Sequence, residues 1–297
     1  MSSFDEIREN TKNHGVAVEA LTSKEGLALG KKRNTRFIAV TSGKGGVGKT
    51  NIVANLSASL SELGKKVVVL DADFGLANLD VLLGLTPRYH LGHMLYGDKN
   101  LSEIMVRGPE GIYIIPASSG LHQMSDLTLL QRNRLIEEIR DLDMDIDYFI
   151  IDTAAGVSRN VVHFLISAGE VFVVSAPEPT AIVDAYAVIK IILAEDSYKP
   201  IRVIVNSVKD EYCAHEVFYQ INSVVERFLN RTIDYFGYVE RDSHVQKAVK
   251  SQMLVTQRFP NAPASRCFRN LAHRIVRNET WAFEGVIVEK LLNDWIN

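Results

Sequence analysis

The ten residues TSGKGGVGKT, Thr41 to Thr50, carry the densest concentration of chemistry in the chain. Gly43, Gly48, Lys49 and Thr50 satisfy the spacing G-x-x-x-x-G-K-[ST] of a phosphate-binding loop. Glycines there let successive backbone N–H groups turn towards phosphate oxygens without Cβ clashes, and the N-terminus of the following helix adds its dipole. The expected nucleotide cradle runs through Gly43, Lys44, Gly45, Gly46, Val47, Gly48, Lys49, Thr50 and Asn51. In it, Lys49 is placed to bridge β- and γ-phosphate oxygens, and the Thr50 hydroxyl to ligate Mg2+. Lys44 is surplus to this frame, since one lysine already serves the phosphates.

The remaining chemistry needs carboxylates at the carboxyl ends of neighbouring strands, where open α/β sheets bind ligands. VVVLDADFGLANLD ends an apolar run with Asp71 and Asp73, and YFIIDTAAG ends another with Asp152. A buried run that terminates in aspartate brings a carboxylate to the Mg2+ shell, the role expected of Asp152. Asp71 and Asp73 alternate in orientation if the strand continues through them, so they take different roles. Asp73, which opens a glycine-containing segment, is the candidate to orient an attacking water. Gly156, just past Asp152, is placed to let a loop move when the γ-phosphate leaves.

The elements that position these groups are legible as short apolar runs alternating with helix-length amphipathic stretches. RFIAVTS, KKVVVLDAD, GIYIIPAS, DYFIIDTA, EVFVVSAPE, IRVIVNSV and IDYFGYV read as strands. Most are continuous rather than alternating, as expected for strands buried on both faces of a parallel sheet. NIVANLSASLSELG, TLLQRNRLIEEIRDL, DAYAVIKIILAED and VFYQINSVVERFLN read as helices. This alternation predicts an α/β fold: a single doubly wound, mostly parallel sheet flanked by helices. Residues 1–36 are expected to be an N-terminal extension and linker, 37–277 the domain that carries the phosphate-binding loop, and 278–297 a C-terminal amphipathic helix.

Composition bounds the alternatives. The 297 residues carry 33 basic and 36 acidic side chains, a formal net charge of −3, so no general attraction to nucleic acid is implied. Two cysteines, Cys213 and Cys267, stand in no metal-ligand spacing and suit a reducing compartment. No apolar run reaches the ~18 residues of a membrane span. The polar start MSSFDEIRENTKNH is not a secretory signal, so a cytoplasmic protein is expected.

KGGVGKT with its extra lysine, DADFGLANLD and IIDTAAG together resemble the MinD/ParA group of deviant Walker A ATPases, over about Phe37 to Ile275. Asn51 after Thr50, DADFGLANLDVLLGL, IIPASSG, IIDTAAGVSRNV and APEPTAIVDAYAVIK resemble in particular its flagellar-number branch, known as FlhG, FleN or YlxH. The resemblance implies ATP with Mg2+ and a homodimer that sandwiches the nucleotide. It implies that Lys44 reaches across the dimer to the other subunit's phosphates, a finger of the kind worth ~10³–10⁵ in rate. Asp73 matches the water-activating aspartate, Asp71 and Asp152 match acidic groups near Mg2+, and Asn206 matches the asparagine that hydrogen-bonds adenine. Glu178 and Asp184 fall where relatives build dimer and partner surface.

Further implied partners are an FlhF-like signal-recognition-type GTPase and flagellar basal-body or transcription-regulator proteins. Within the C-terminal RNETWAFEGVIVEKLLNDWIN, Trp281, Val288, Leu291, Leu292 and Trp295 share one helical face. That face suits either ATP-dependent docking on the inner side of the cell membrane or packing on the body. The tail is acidic, and Arg266, Arg269, Arg274 and Arg277 just upstream are the expected compensating charge. A division-site regulator and a DNA-partitioning ATPase are the rival readings, and an iron–sulfur carrier would need paired cysteines that the chain lacks.

Overall fold

The structure, a computed structural model, describes residues 35–75, 77–117, 127–142 and 144–277. Its strands are β1 (Arg36–Thr41), β2 (Val67–Ala72), β3 (Val106–Arg107), β4 (Tyr113–Ile115), β5 (Tyr148–Thr153), β6 (Glu170–Ser175), β7 (Ile201–Val208) and β8 (Asp234–Glu240). The helices are α1 (Lys49–Glu62), α2 (Leu79–Leu82), α3 (Leu91–Leu95), α4 (Leu101–Ile104), α5 (Leu129–Arg140), α6 (Arg159–Ser167), α7 (Pro179–Glu195), α8 (Glu211–Leu229), α9 (Ser243–Lys250), α10 (Val255–Arg258) and α11 (Pro263–Arg277). The strands form one sheet in the order β3-β4-β2-β5-β1-β6-β7-β8. Every pairing is parallel except β3 with β4.

The apolar runs are continuous because each strand feeds two cores. Ile38 and Val40 of β1, Val67 and Val69 of β2, and Tyr148 and Ile150 of β5 pack on one face against Ile52, Leu56 and Leu60 of α1 and Phe268, Leu271 and Ile275 of α11. Their alternates, Ala39, Val68, Leu70, Phe149 and Ile151, face Leu165, Val188, Ile189, Ile192 and Ile221 on the other side. A strand with both faces covered has no polar positions to alternate with.

The expected strands are all present, and β3 is an addition. Its two residues, Val106 and Arg107, contain no apolar run; they pair with β4 because the turn at Gly108–Gly111 folds them back, closed by Gly108 N–H donating to Ile112 O at 2.8 Å. Helix α7 begins at Pro179, a turn and more before the expected start, with proline at the first helical position where its missing N–H is harmless.

Arg36, the first residue of the expected strand RFIAVTS and the last of the expected linker, opens β1, paired with Tyr148. Its guanidinium is ion-paired with Glu170, which also holds Arg202 Nη1 at 2.7 Å. Arg36 Nη1 further donates to the carbonyl of Ile275, near the end of α11, at 3.0 Å. Residues 1–34 and 278–297, and with them the expected extension and amphipathic tail, lie outside the described residues.

Three arginines of α11 hydrogen-bond neighbouring groups of the body. Arg269 donates to Glu62, to Pro260 O and to Thr256 O; Arg274 donates to Phe236 O and Arg266 to Asn261 O. No described helix is long and apolar enough to cross a membrane.

Candidate nucleotide site

In the sheet order β1 lies between β5 and β6, so the chain leaves β1 in opposite directions on its two sides. The crevice beyond the carboxyl ends of these strands is the topological switch point where doubly wound sheets bind ligands. Gly43 to Gly48 turn there between β1 and α1. Gly46 and Gly48 have φ of +83° and +90°, a region that favours glycine. A Cβ on Gly45 or Gly46 would meet nothing, since both face open space. Gly43 is needed for the opposite reason: a Cβ there would lie 2.1 Å from the carbonyl oxygen of Asp184 in α7.

Helix α1 starts at Lys49 with Gly48 as its N-cap, and no side chain caps it. Its first-turn N–H groups are the donors that a phosphate would satisfy. The hydroxyl of Thr41, buried at the end of β1, is also without a hydrogen-bond partner. The loop is therefore shaped for an anion it does not supply itself.

Lys49 is buried, and its ammonium is ion-paired with the buried carboxylate of Asp152. The Thr50 hydroxyl hydrogen-bonds the same carboxylate. Asp152 lies opposite Asp71 in the β2–β5 register. Burial pushes the Asp152 carboxyl up from its ordinary value, against the pull of Lys49 and Thr50, with the charge of Asp73 adding to the push. Burial, and then the neighbouring Asp152, raise Asp71 to about 7, while N–H groups of Asp73 and Leu79 donate to it at 3.1 and 3.3 Å. Asp73 itself is half-buried, one residue past the end of β2.

Two carboxylates and a hydroxyl, Asp71, Asp152 and Thr50, form an all-oxygen donor set that fits Mg2+. That ion binds through one or two carboxylates plus phosphate and water rather than through a dedicated protein cage. Asp71, Asp152 and Thr50 would hold Mg2+ there, and the ion would supply positive charge to offset that of the phosphates.

Three further residues complete the surroundings. Lys44 Nζ lies 2.7 Å from Glu178 Oε2 and 3.1 Å from Thr180 Oγ1, at the exposed start of α7. Asn206, at the end of β7, donates from Nδ2 to Val47 O at 2.7 Å and lies across Gly48. Gly156, in the loop after Asp152, donates its N–H to Ser42 O at 2.8 Å, and Ser42 Oγ donates to Lys44 O at 3.0 Å.

The structure thus brings Gly43 to Asn51, Asp71, Asp73, Asp152 and Asn206 to one edge of the sheet. Sequence reading did not single out Thr180 and Ser42. Thr180 could have been found from the Glu-Pro-Thr that opens α7, a helix start aimed at the same crevice.

Comparison with known proteins decides the family. Residues 35–200 match the family model described as AAA domain. The chain is 40% identical to the antiactivator FleN of Pseudomonas aeruginosa over 247 residues, 83% of this chain and 88% of that protein. The chain belongs to the MinD/ParA family of ATPases. It is also 34% identical to the flagellum site-determining protein YlxH of Helicobacter pylori, over 85% of this chain and 86% of that one. Among solved structures, the MinC:MinD cell division protein complex of Aquifex aeolicus matches 82% of this chain and 96% of its own with a TM-score of 0.68 at 28% identity. Like other members of the family, this protein is an ATPase.

Proposed function

We propose that the protein is an ATP-dependent dimerising switch that sets flagellar number or placement. Lys44 is the observation that carries the switch. Its ammonium sits on the surface against Glu178 and Thr180, while Lys49 already occupies its own phosphate cradle. A lysine so placed serves the phosphates of a second copy laid face to face, with Val157 and Val183 exposed on this side of the molecule for that copy to cover. In the sandwich, Lys49 turns from Asp152 to the β- and γ-phosphates, Thr50, Asp71 and Asp152 hold Mg2+, and Asp73 orients the attacking water. Asn206 leaves Val47 to read adenine.

The flagellar assignment rests on the relatives named antiactivator FleN and flagellum site-determining protein YlxH. An antiactivator restrains an activator, so a transcription regulator is the first partner class. An FlhF-like GTPase and basal-body proteins follow as further partners. With ATP the dimer docks on the inner face of the membrane through paired copies of the tail that begins at residue 278, each weak alone and effective together.

Counting flagella and septa in cells that lack the gene tests the role. Extra or misplaced flagella with normal division are expected; minicells with normal flagella would move the assignment to division-site selection, the role printed for the MinD relatives. Co-sedimentation of the Asp73→Ala protein with anionic vesicles tests the docking. Pelleting with ATP and not with ADP supports it, and equal behaviour in both removes it.

A further inference from the structure

Ser207, with φ of +60°, stands in the left-handed region between Asn206 and Val208, one residue before the end of β7. An L side chain there costs free energy, persists only where its surroundings impose it, and points to function. The strand register shows what imposes it. Asn206 pairs with Val239 of β8, and Val208 pairs with the next residue, Glu240, so Ser207 is an extra residue, a bulge in a parallel pair. Val203, Val205 and Val208 all belong to the core that holds Val217 and Ile221 of α8, whereas Ile204 belongs to the opposite core. Strict alternation would put Val208 on the face of Ile204 and Asn206. The extra residue returns Val208 to the α8 side while Asn206 stays on the side of the phosphate loop, with Nδ2 2.7 Å from Val47 O. The chain beyond the bulge is fixed as well: Arg241 N–H donates to Val208 O at 2.7 Å, and Asp210 caps α8 by accepting from Cys213 N–H at 2.9 Å. The Ser207 side chain itself is exposed.

We infer that Ser207 is a positioning residue for nucleobase selection, its left-handed turn holding the Asn206 amide where it meets the edge of the base. This rests on the adenine-reading role of Asn206. An amide matches adenine in two places: its oxygen accepts from the exocyclic amine and its nitrogen donates to a ring nitrogen. Guanine presents an acceptor where adenine presents the amine, so the amide oxygen finds no donor there. That discrimination depends on the place of the amide. Carried out of reach by a straightened strand, it makes neither bond, and both purines bind alike. Ser207 does not touch the base; it acts through its neighbour.

The test is isothermal titration of the full chain with ADP, GDP and pyrophosphate, with thermal melts alongside. The parent protein should prefer ADP to GDP. Ser207→Gly adopts positive φ freely and should fold normally with that preference intact. Ser207→Val puts a β-branched side chain at positive φ and should cut the preference about tenfold, the scale of one amide–base pair, with pyrophosphate binding unchanged. Ser207→Thr is a milder β-branched change that should lose preference in the same direction, and it reports if the valine protein does not fold. Asn230→Val carries the same kind of strain at φ of +51°, at the carboxyl end of α8, and should lower the melting temperature without altering the preference. Asn206→Ala should lose the preference outright. Preference kept in Asn206→Ala would end the adenine-reading role and the inference with it. Preference lost in Asn206→Ala but kept in folded Ser207→Val or Ser207→Thr would overturn the inference alone. Equal weakening of ADP, GDP and pyrophosphate in Ser207→Val, or a lost preference in Asn230→Val, would overturn it too.

Discussion

Lys44 Nζ lies 2.7 Å from Glu178 Oε2, on side chains that are 40% and 60% exposed. An ion pair this open is worth only about 0–1 kcal/mol, so a stronger anion displaces it readily. Lys44→Ala is therefore expected to keep its melting temperature and nucleotide affinity while turnover falls on the order of 10³-fold. Equilibrium binding of a fluorescent ADP beside phosphate release separates the two. Normal turnover in this variant would end the cross-subunit role.

The pair formed by Lys49 and Asp152 behaves differently because both groups are buried. Removing one partner leaves the other without compensation, a loss of about 3–5 kcal/mol. Lys49→Ala should lower stability by that order and abolish nucleotide binding. Adding Asp152→Asn to it should restore much of the stability and none of the binding. Urea unfolding of the two variants provides the check.

Asp71 makes stability depend on pH. Burial and Asp152 raise its carboxyl from 3.8 to about 7, so the folded protein holds this proton more tightly than the unfolded chain. The group's contribution is complete below 3.8 and is lost as pH rises through about 7, on the order of 4 kcal/mol in all. Asp71→Asn is expected to flatten that part of the profile, so the gap between variant and parent in denaturant titrations should differ between about pH 5 and about pH 8. An identical gap at both values would refute the assignment.

The glycines of the loop should separate by cause. A Cβ at Gly48 would meet Asn206 Nδ2 at 2.3 Å in a backbone with φ of +90°, and one at Gly43 would meet Asp184 O at 2.1 Å. Gly43→Ala and Gly48→Ala should both lose nucleotide binding and stability, Gly43→Ala because its obstacle is backbone and Gly48→Ala because alanine is strained at φ of +90°. Gly45→Ala, whose Cβ meets nothing, should fold normally. Isothermal titration with ADP and thermal melts distinguish the three.

Strands such as RFIAVTS and DYFIIDTA were legible because burial on both faces writes itself as an unbroken apolar run. The loop was legible because glycine and lysine spacing is set by phosphate geometry and not by the rest of the fold. Strand β3 was hidden: two residues cannot display a pattern, and its pairing is imposed by the turn at Gly108–Gly111. The partner of Lys44 was hidden for another reason. Glu178 lies 134 residues further on, and only the parallel crossover from β1 to β6 brings it alongside. The contacts of the α11 arginines were hidden in the same way, because helical spacing gives arginine positions but not the carbonyls of Phe236, Pro260 and Asn261 that they meet.

The hydrogen bond from Arg36 to the carbonyl of Ile275 places the entrance and exit of the ATPase body side by side. In a chain trimmed of residues 1–34 and 278–297, a few added residues could join these two ends covalently, and new termini could then be opened in a surface turn such as Asn230–Arg231 between α8 and β8. Such a circular permutant would retain every strand pairing and the whole phosphate loop while presenting its ends elsewhere.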